Sequence, residues 1–129
     1  MKKLIFLIAL IGFFMVGMQS VSAQWCFNVQ YSDGNCDCGS ITAKYINYSI
    51  YDLQVSNWVV PSTSDTIPST NPFTLSGSES INFDDLDRYR VTIRISYYDP
   101  TLCCTDWDSD DLDGDELKDC EKTFILSLN

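Results

Sequence analysis

Residues 88–97 read Arg-Tyr-Arg-Val-Thr-Ile-Arg-Ile-Ser-Tyr, and polar and apolar side chains alternate along the whole stretch. The odd-numbered positions carry tyrosine, valine and isoleucine, whereas the even-numbered positions carry arginine, threonine and serine. Successive side chains of an extended chain point to opposite faces, so this pattern predicts a β-strand with one buried face. The three arginines on its polar face could bind a small anion.

The rest of the chain is divided into similar short segments by residues that favour turns. Asp33 and Gly34 tolerate the backbone angles of tight turns, and the proline-, serine- and threonine-rich residues 61–72 predict a loop. Strands are predicted at residues 25–31, 41–51, 53–60, 73–75, 80–83, 88–97 and 123–128. Short strands joined by turns predict an all-β fold, a small antiparallel β-sandwich of immunoglobulin-like size, with a small barrel as the alternative.

The predicted core combines the odd-numbered side chains of 88–97 with apolar residues of the other strands. These residues are Val29, Val55, Trp58, Val59, Phe83, Phe124 and Leu126. They fall on the apolar face of each predicted strand, so together they would fill the space between two sheets.

The first 23 residues are predicted to be a signal peptide. Lys2-Lys3 precedes an apolar run at 4–18, and Val21-Ser22-Ala23 fits a cleavage site. The apolar run is shorter than the roughly 20 residues that a transmembrane helix needs. We therefore expect a single mature domain at 24–129 with no transmembrane span. It would be secreted, periplasmic or held at the cell surface, and the signal is of a bacterial type.

All six cysteines lie in the predicted mature domain: Cys26, Cys36, Cys38, Cys103, Cys104 and Cys120. An even number in a small exported domain favours disulfide bonds. A thiolate metal site is the alternative, but no two of these cysteines have the two-residue gap that structural zinc pairs prefer. We expect one of Cys103 and Cys104 to pair with Cys120 and the other with Cys36 or Cys38.

The chain is strongly acidic, with 18 acidic and eight basic residues and a net charge of −10. Residues 106–121 hold nine of the acidic residues and one lysine, which predicts a long, exposed acidic loop before the last strand. Such a charge repels phosphate backbones and anionic lipid headgroups, so nucleic-acid binding is disfavoured.

Within this segment, three carboxylates follow one another at alternate positions. Asp111, Asp113 and Asp115 could converge on one cation if the chain turns sharply at Gly114. Calcium prefers six to eight oxygen ligands, which a loop of this kind can supply. The alternative is an acidic loop that is simply solvated.

The nine residues 111–119 resemble one copy of the calcium-binding repeats of thrombospondin type 3 and of similar bacterial extracellular modules. The resemblance implies a structural calcium ion, with Gly114 as the first glycine of the motif. Glu116 stands where the second glycine belongs, which would widen the turn. The implied metal ligands are the carboxylates of Asp111, Asp113, Asp115 and Asp119 and the carbonyl of Leu117.

The sequence argues against most catalysis, because it contains no histidine and therefore no Ser-His-Asp or Cys-His arrangement. Trp107 lies within the acidic segment and is a candidate contact residue. We expect a non-enzymatic binding module whose partner is an extracellular or cell-surface protein, or a glycan. The alternatives are a secreted inhibitor or effector that presents a disulfide-tied loop, and a carbohydrate-binding module.

Overall fold

The computed structural model describes residues 24–33, 44–83, 86–97 and 104–128. The predicted signal peptide and Cys36, Cys38 and Cys103 lie outside the described residues. No helix in the described part of the chain is long and apolar enough to cross a membrane. The described elements are β1 (Trp25–Ser32), β2 (Lys44–Asp52), β3 (Asn57–Thr66), β4 (Phe73–Gly77), β5 (Tyr89–Tyr97), β6 (Thr105–Leu112), α1 (Gly114–Lys118) and β7 (Thr123–Ser127).

The strands form two sheets, which confirms the predicted all-β sandwich. One sheet has the strand order β4-β1-β7 and the other has the order β3-β2-β5-β6. Strands β1 and β7 are parallel, whereas the other described pairs are antiparallel. The strand that the alternating pattern predicts is β5, which pairs with β2 on one side and β6 on the other.

The core lies between the two sheets and contains the apolar face of β5. Val91, Ile93 and Ile95 are completely buried, as predicted. From the three-stranded sheet, Phe27 and Phe124 are also completely buried, and their rings meet edge to face at 5.5 Å. Burying a side chain of this size stabilises the fold by about 1.5–3 kcal/mol, so these inner faces hold the two sheets together.

Three residues predicted to lie in the core are exposed. Val55 is 61% exposed, Trp58 is 52% exposed and Phe83 is 48% exposed. The predicted third strand begins too early, because residues 53–56 form a turn and β3 begins at Asn57. The pairing of β2 with β3 then shifts register, which places Trp58 opposite Tyr51 on the outer side of the sheet.

Two further segment predictions are wrong. Residues 61–66 continue β3 and are not a loop. Pro61 is tolerated there because β3 is an edge strand and because Pro61 lies where the pairing with β2 shifts register. Residues 80–83 form no strand, although Ile81 is buried.

The predicted acidic loop is instead β6 followed by α1. Aspartate has a low preference for strands, which is why the composition suggested a loop. The alternate residues Asp106, Asp108 and Asp110 lie opposite buried residues of β5, so they point inward along the edge of the sheet. Inward-pointing charges are a known protection of sheet edges against pairing with other chains.

Two of these inward-pointing carboxylates, those of Asp106 and Asp110, are bound by β7 and the residues before it. Ser127 N donates a hydrogen bond to Asp106 Oδ2 at 2.8 Å. The Lys122 ammonium forms an ion pair with Asp110. The two sheets are therefore joined along the β6–β7 side by polar contacts.

A disulfide bond joins Cys26 to Cys120, with a Cα–Cα distance of 4.9 Å. The expected pairing of Cys120 with Cys103 or Cys104 is therefore wrong. The parallel pairing of β1 with β7 explains this, because the chain leaving α1 passes the beginning of β1, where Asn28 N donates to Lys122 O at 2.8 Å. Cys104 is also disulfide-bonded.

Candidate functional site

One of the five predicted calcium ligands lies on β6, and the other four lie in α1 or cap its two ends. Asp111 is on β6, where its two carboxylate oxygens accept hydrogen bonds from Arg90 Nε and Nη2 at 2.8 and 2.9 Å. These hydrogen bonds lower the pKa of the Asp111 carboxyl. Asp115 lies in the first turn of α1, and Asp119 is the residue that ends the helix.

The remaining two predicted ligands have structural roles. Asp113 caps α1: its Oδ1 accepts from Glu116 N at 2.8 Å, while Glu116 Oε2 accepts from Asp113 N at 2.9 Å. This reciprocal pair satisfies two N–H groups that an uncapped helix would leave free. The side chain of Leu117 is completely buried in the core.

Gly114 is required for a different reason from the one that the resemblance implies. A Cβ atom at this position would lie 1.7 Å from the backbone oxygen of Asn82, so no other residue fits. Among the described residues, no three acidic or cysteine side chains are placed to hold a metal ion together. Calcium binding by this segment stays a prediction.

A different set of residues forms an open surface on the four-stranded sheet. We call the outward-pointing residues of its four strands the outer face. None of these side chains is aliphatic; most are hydroxyl-bearing, amide or aromatic. From the strand register, the outer face consists of Trp58, Ser64 and Thr66 on β3, Tyr45, Asn47, Ser49 and Tyr51 on β2, Arg90, Thr92, Arg94 and Ser96 on β5, and Thr105, Trp107, Ser109 and Asp111 on β6.

Two tryptophans flank the outer face. Trp107 on β6 is 66% exposed and Trp58 on β3 is 52% exposed. The ring of Tyr51 supports Trp58 from the side, with ring centres 4.8 Å apart. The two tryptophans are three strand spacings and four residues apart, which corresponds to about 20 Å across the sheet.

A row of polar side chains crosses the centre of the outer face. Ser64, Asn47, Arg94 and Trp107 pair in succession across the four strands. Asn47 Nδ2 donates to Ser64 Oγ at 2.9 Å, and Ser62 Oγ donates to Asn47 Oδ1 at 3.0 Å. The amide is thus held in place, yet it retains a second N–H and a second lone pair for a ligand.

The three arginines that suggested an anion site have different surroundings. Arg88 is 9% exposed and donates hydrogen bonds to both oxygens of the buried Asp52, at 2.9 to 3.1 Å. Arg90 is paired with Asp111, as described above. Arg94 Nε donates to Thr105 Oγ1 at 3.0 Å. The arginines therefore do not converge, and Arg94 has no acidic partner within the described residues.

The sequence pointed to Trp107 but not to the rest of this surface. The position of Arg94 could have been predicted, because the alternation along β5 places it on the outward side. The outward position of Trp58 depends on the register shift between β2 and β3, for which the sequence gives no clear signal. No protein family model, no curated protein and no solved structure matches this chain.

Proposed function

We propose that this protein is a non-catalytic, extracellular binding module and that the outer face binds a glycan. The observation that carries the proposal is the presence of two tryptophans, each more than half exposed, on one sheet face with polar groups between them. A single exposed aromatic residue is ordinary. Two on one sheet face, about 20 Å apart, suit an extended ligand that contacts both.

The arrangement of the outer face favours a glycan over a protein. Residues that dominate protein–protein binding cluster near the centre of an interface, and that centre is apolar. Here the tryptophans lie at the flanks, and hydroxyl, amide and guanidinium groups occupy the centre. A sugar chain suits this order, since its C–H faces stack on indole rings and its hydroxyl groups bond to polar side chains.

A cell-surface protein is the second candidate partner. Tyrosine, serine, asparagine, tryptophan and arginine make up most of the outer face, and the same residues are enriched in antibody binding loops. The third candidate is an inhibitor or effector that presents a disulfide-tied loop. The acidic segment is not that loop, because it forms β6 and α1 and Cys120 pairs with Cys26.

Several features support a binding role without catalysis outside the cell. The chain has no histidine, and Asp111 is the one acidic residue of the outer face. Its lowered pKa keeps it ionised, so it is a poor general acid, and hydrolysis of a glycosidic bond requires two carboxyl groups. The disulfide-bonded Cys26, Cys104 and Cys120 suit an oxidising compartment such as the periplasm or the cell exterior.

The test is binding of the folded mature domain to a glycan array, followed by affinity measurements on any glycan retained. We expect Trp107→Ala and Trp58→Ala each to weaken binding at least tenfold, or about 1.4 kcal/mol. Ile125→Ala is the matched control, because Ile125 is 71% exposed but lies on β7 in the other sheet.

Two results would contradict the glycan proposal. If both tryptophan variants bind a retained glycan as tightly as the native domain does, the outer face is not the binding surface. If the array retains nothing and a cell-surface protein binds with the same dependence on both tryptophans, the second candidate is correct.

A further inference from the structure

The inward-pointing side of β6 is strongly acidic, whereas the outer face is not. The alternate aspartates of β6, Asp106, Asp108 and Asp110, point inward. Asp106 contacts β7 and Asp110 pairs with Lys122. The outer face carries two arginines and one aspartate, so it has an excess of one positive charge, although the chain as a whole has a net charge of −10. An anionic group therefore meets a favourable local charge on this face and an unfavourable one along the neighbouring edge.

The excess positive charge resides on Arg94. Four other basic side chains of the described residues form ion pairs, namely Lys44 with Asp33, Arg88 with Asp52, Arg90 with Asp111 and Lys122 with Asp110. Lys118 lies over the ring of Phe83, 4.9 Å from its centre and away from the outer face. Arg94 is the one described arginine without a carboxylate partner.

The geometry around Arg94 leaves one edge of the guanidinium available. The hydrogen bond from Nε to Thr105 Oγ1 holds the other edge and fixes the plane of the group. The two Nη groups have no partner within the described residues. Two parallel N–H groups match a carboxylate and form short, charge-assisted hydrogen bonds with it.

We propose that the ligand of the outer face is an acidic oligosaccharide and that Arg94 binds the carboxylate of its uronic acid residue. This inference rests on the proposed glycan-binding function. The neighbours of Arg94 in the row across the sheet are Asn47 and Trp107. A carboxylate on the Nη groups places its sugar ring between an amide that can bond to hydroxyl groups and an indole that can stack.

The charge of the rest of the molecule selects among acidic glycans. Residues 106–121 carry nine acidic groups, and β6 forms one side of the outer face. A polymer with a charge on every sugar would be repelled by this edge, since charges interact over about 8–10 Å at ordinary ionic strength. The site therefore suits a largely neutral chain in which uronic acid residues are isolated.

The experiment compares acidic oligosaccharides with their own neutral forms. A panel of neutral oligosaccharides that carry a single uronic acid residue is arrayed beside the same compounds with the carboxyl group reduced to an alcohol. Acidic peptides and polyuronates complete the panel. We expect the native domain to bind an acidic form at least tenfold more tightly than its reduced form.

Three variants test whether Arg94 causes the preference for the acidic form. Arg94→Gln is expected to bind the acidic and reduced forms equally, because it keeps a polar side chain but lacks the charge and the paired N–H groups. Arg94→Lys should retain part of the preference, since it keeps the charge alone. Lys118→Gln is the matched control and should leave the ratio unchanged, because it removes one positive charge at a site away from the outer face.

The outcomes separate this inference from the function on which it rests. If the domain binds glycans but treats acidic and reduced forms alike, or if Arg94→Gln keeps the preference, the carboxylate inference is wrong and glycan binding stands. If polyuronates bind best, isolated uronic acids are not the target. If acidic peptides bind and no glycan does, both proposals fail and the ligand is a protein.

Discussion

Loss of the buried ion pair between Asp52 and Arg88 should be one of the most destabilising single changes in this domain, because removing one partner of a buried pair is costly. Asp52 is 5% exposed and Arg88 is 9% exposed. Besides the guanidinium of Arg88, Asp52 Oδ1 accepts hydrogen bonds from the backbone N–H groups of Gln54 and Val55, at 2.9 and 3.3 Å. The pair therefore fixes the turn between β2 and β3 as well as the beginning of β5.

Asp52→Asn tests this contribution, because asparagine keeps the shape and one acceptor oxygen while removing the charge. The buried Arg88 would lose the charge of Asp52, and breaking a buried ion pair by removing one partner costs about 3–5 kcal/mol. Most domains unfold with a free energy of about 5–15 kcal/mol, so a large share of the stability would be lost. The matched control is Asp111→Asn, which breaks the exposed pair with Arg90 and should have a much smaller effect.

The assay is urea unfolding of both variants with the disulfide bonds intact, read as the change in midpoint at constant slope. If Asp52→Asn and Asp111→Asn destabilise the domain equally, burial does not increase the stability that is lost when an ion pair is broken. If Asp52→Asn leaves the midpoint unchanged, the ion pair does not contribute to stability.

The same pair has a defined pH dependence. Burial alone would raise the pKa of Asp52, but the hydrogen bonds from Arg88, Val55 and Gln54 outweigh it and lower the pKa. The stability that the charged pair provides is therefore present above the ordinary aspartate pKa of about 3.9 and is lost as the pH falls through the lower folded-state value. We expect the stability difference between the native domain and Asp52→Asn to shrink on acidification; a constant difference would contradict this.

Three further predictions concern the segment from α1 to β7. Gly114→Ala should destabilise the domain by about 1–3 kcal/mol or more in urea unfolding, because the new methyl group overlaps the backbone of Asn82; an unchanged midpoint would contradict the close approach. Cys120 has a φ of 54° in the position after the helix that glycine prefers, so Cys26→Ser with Cys120→Gly should be about 1 kcal/mol more stable than Cys26→Ser with Cys120→Ser. Equal midpoints would show that this backbone angle relaxes without the disulfide. If the predicted calcium ion binds, millimolar calcium should raise the melting temperature above that in EDTA or magnesium, and Asp119→Asn should abolish the rise without removing the helix cap; no rise would leave the acidic segment solvated.

The fold class followed from local pattern, since the alternation of residues 88–97 was enough to identify β5 and its buried face. The same reasoning failed for β6, where aspartates at alternate positions looked like a loop. Their strand is stabilised by contacts that are distant in sequence, such as the ion pair between Asp110 and Lys122 and the hydrogen bond from Ser127 to Asp106. Composition alone does not reveal such partners.

The candidate site was predictable in part. Trp107 was recognisable because it lies in a polar segment, whereas Trp58 begins the apolar run Trp58-Val59-Val60 and looked like a core residue. Its outward position depends on the register shift between β2 and β3. Arg88, Arg90 and Arg94 looked equivalent in the sequence. The fold shows that Arg88 forms an ion pair with Asp52 and that Arg90 forms one with Asp111.

The most direct test of the binding face uses the three tryptophan indole N–H signals in a two-dimensional ¹H–¹⁵N NMR spectrum, assigned by single replacements with phenylalanine. We expect a bound glycan to shift the signals of Trp58 and Trp107. The signal of Trp25 should stay in place, because that residue is 2% exposed and its Nε1 donates to Glu79 Oε2 at 2.7 Å. Binding that leaves both Trp58 and Trp107 unshifted would show that the outer face does not bind the glycan.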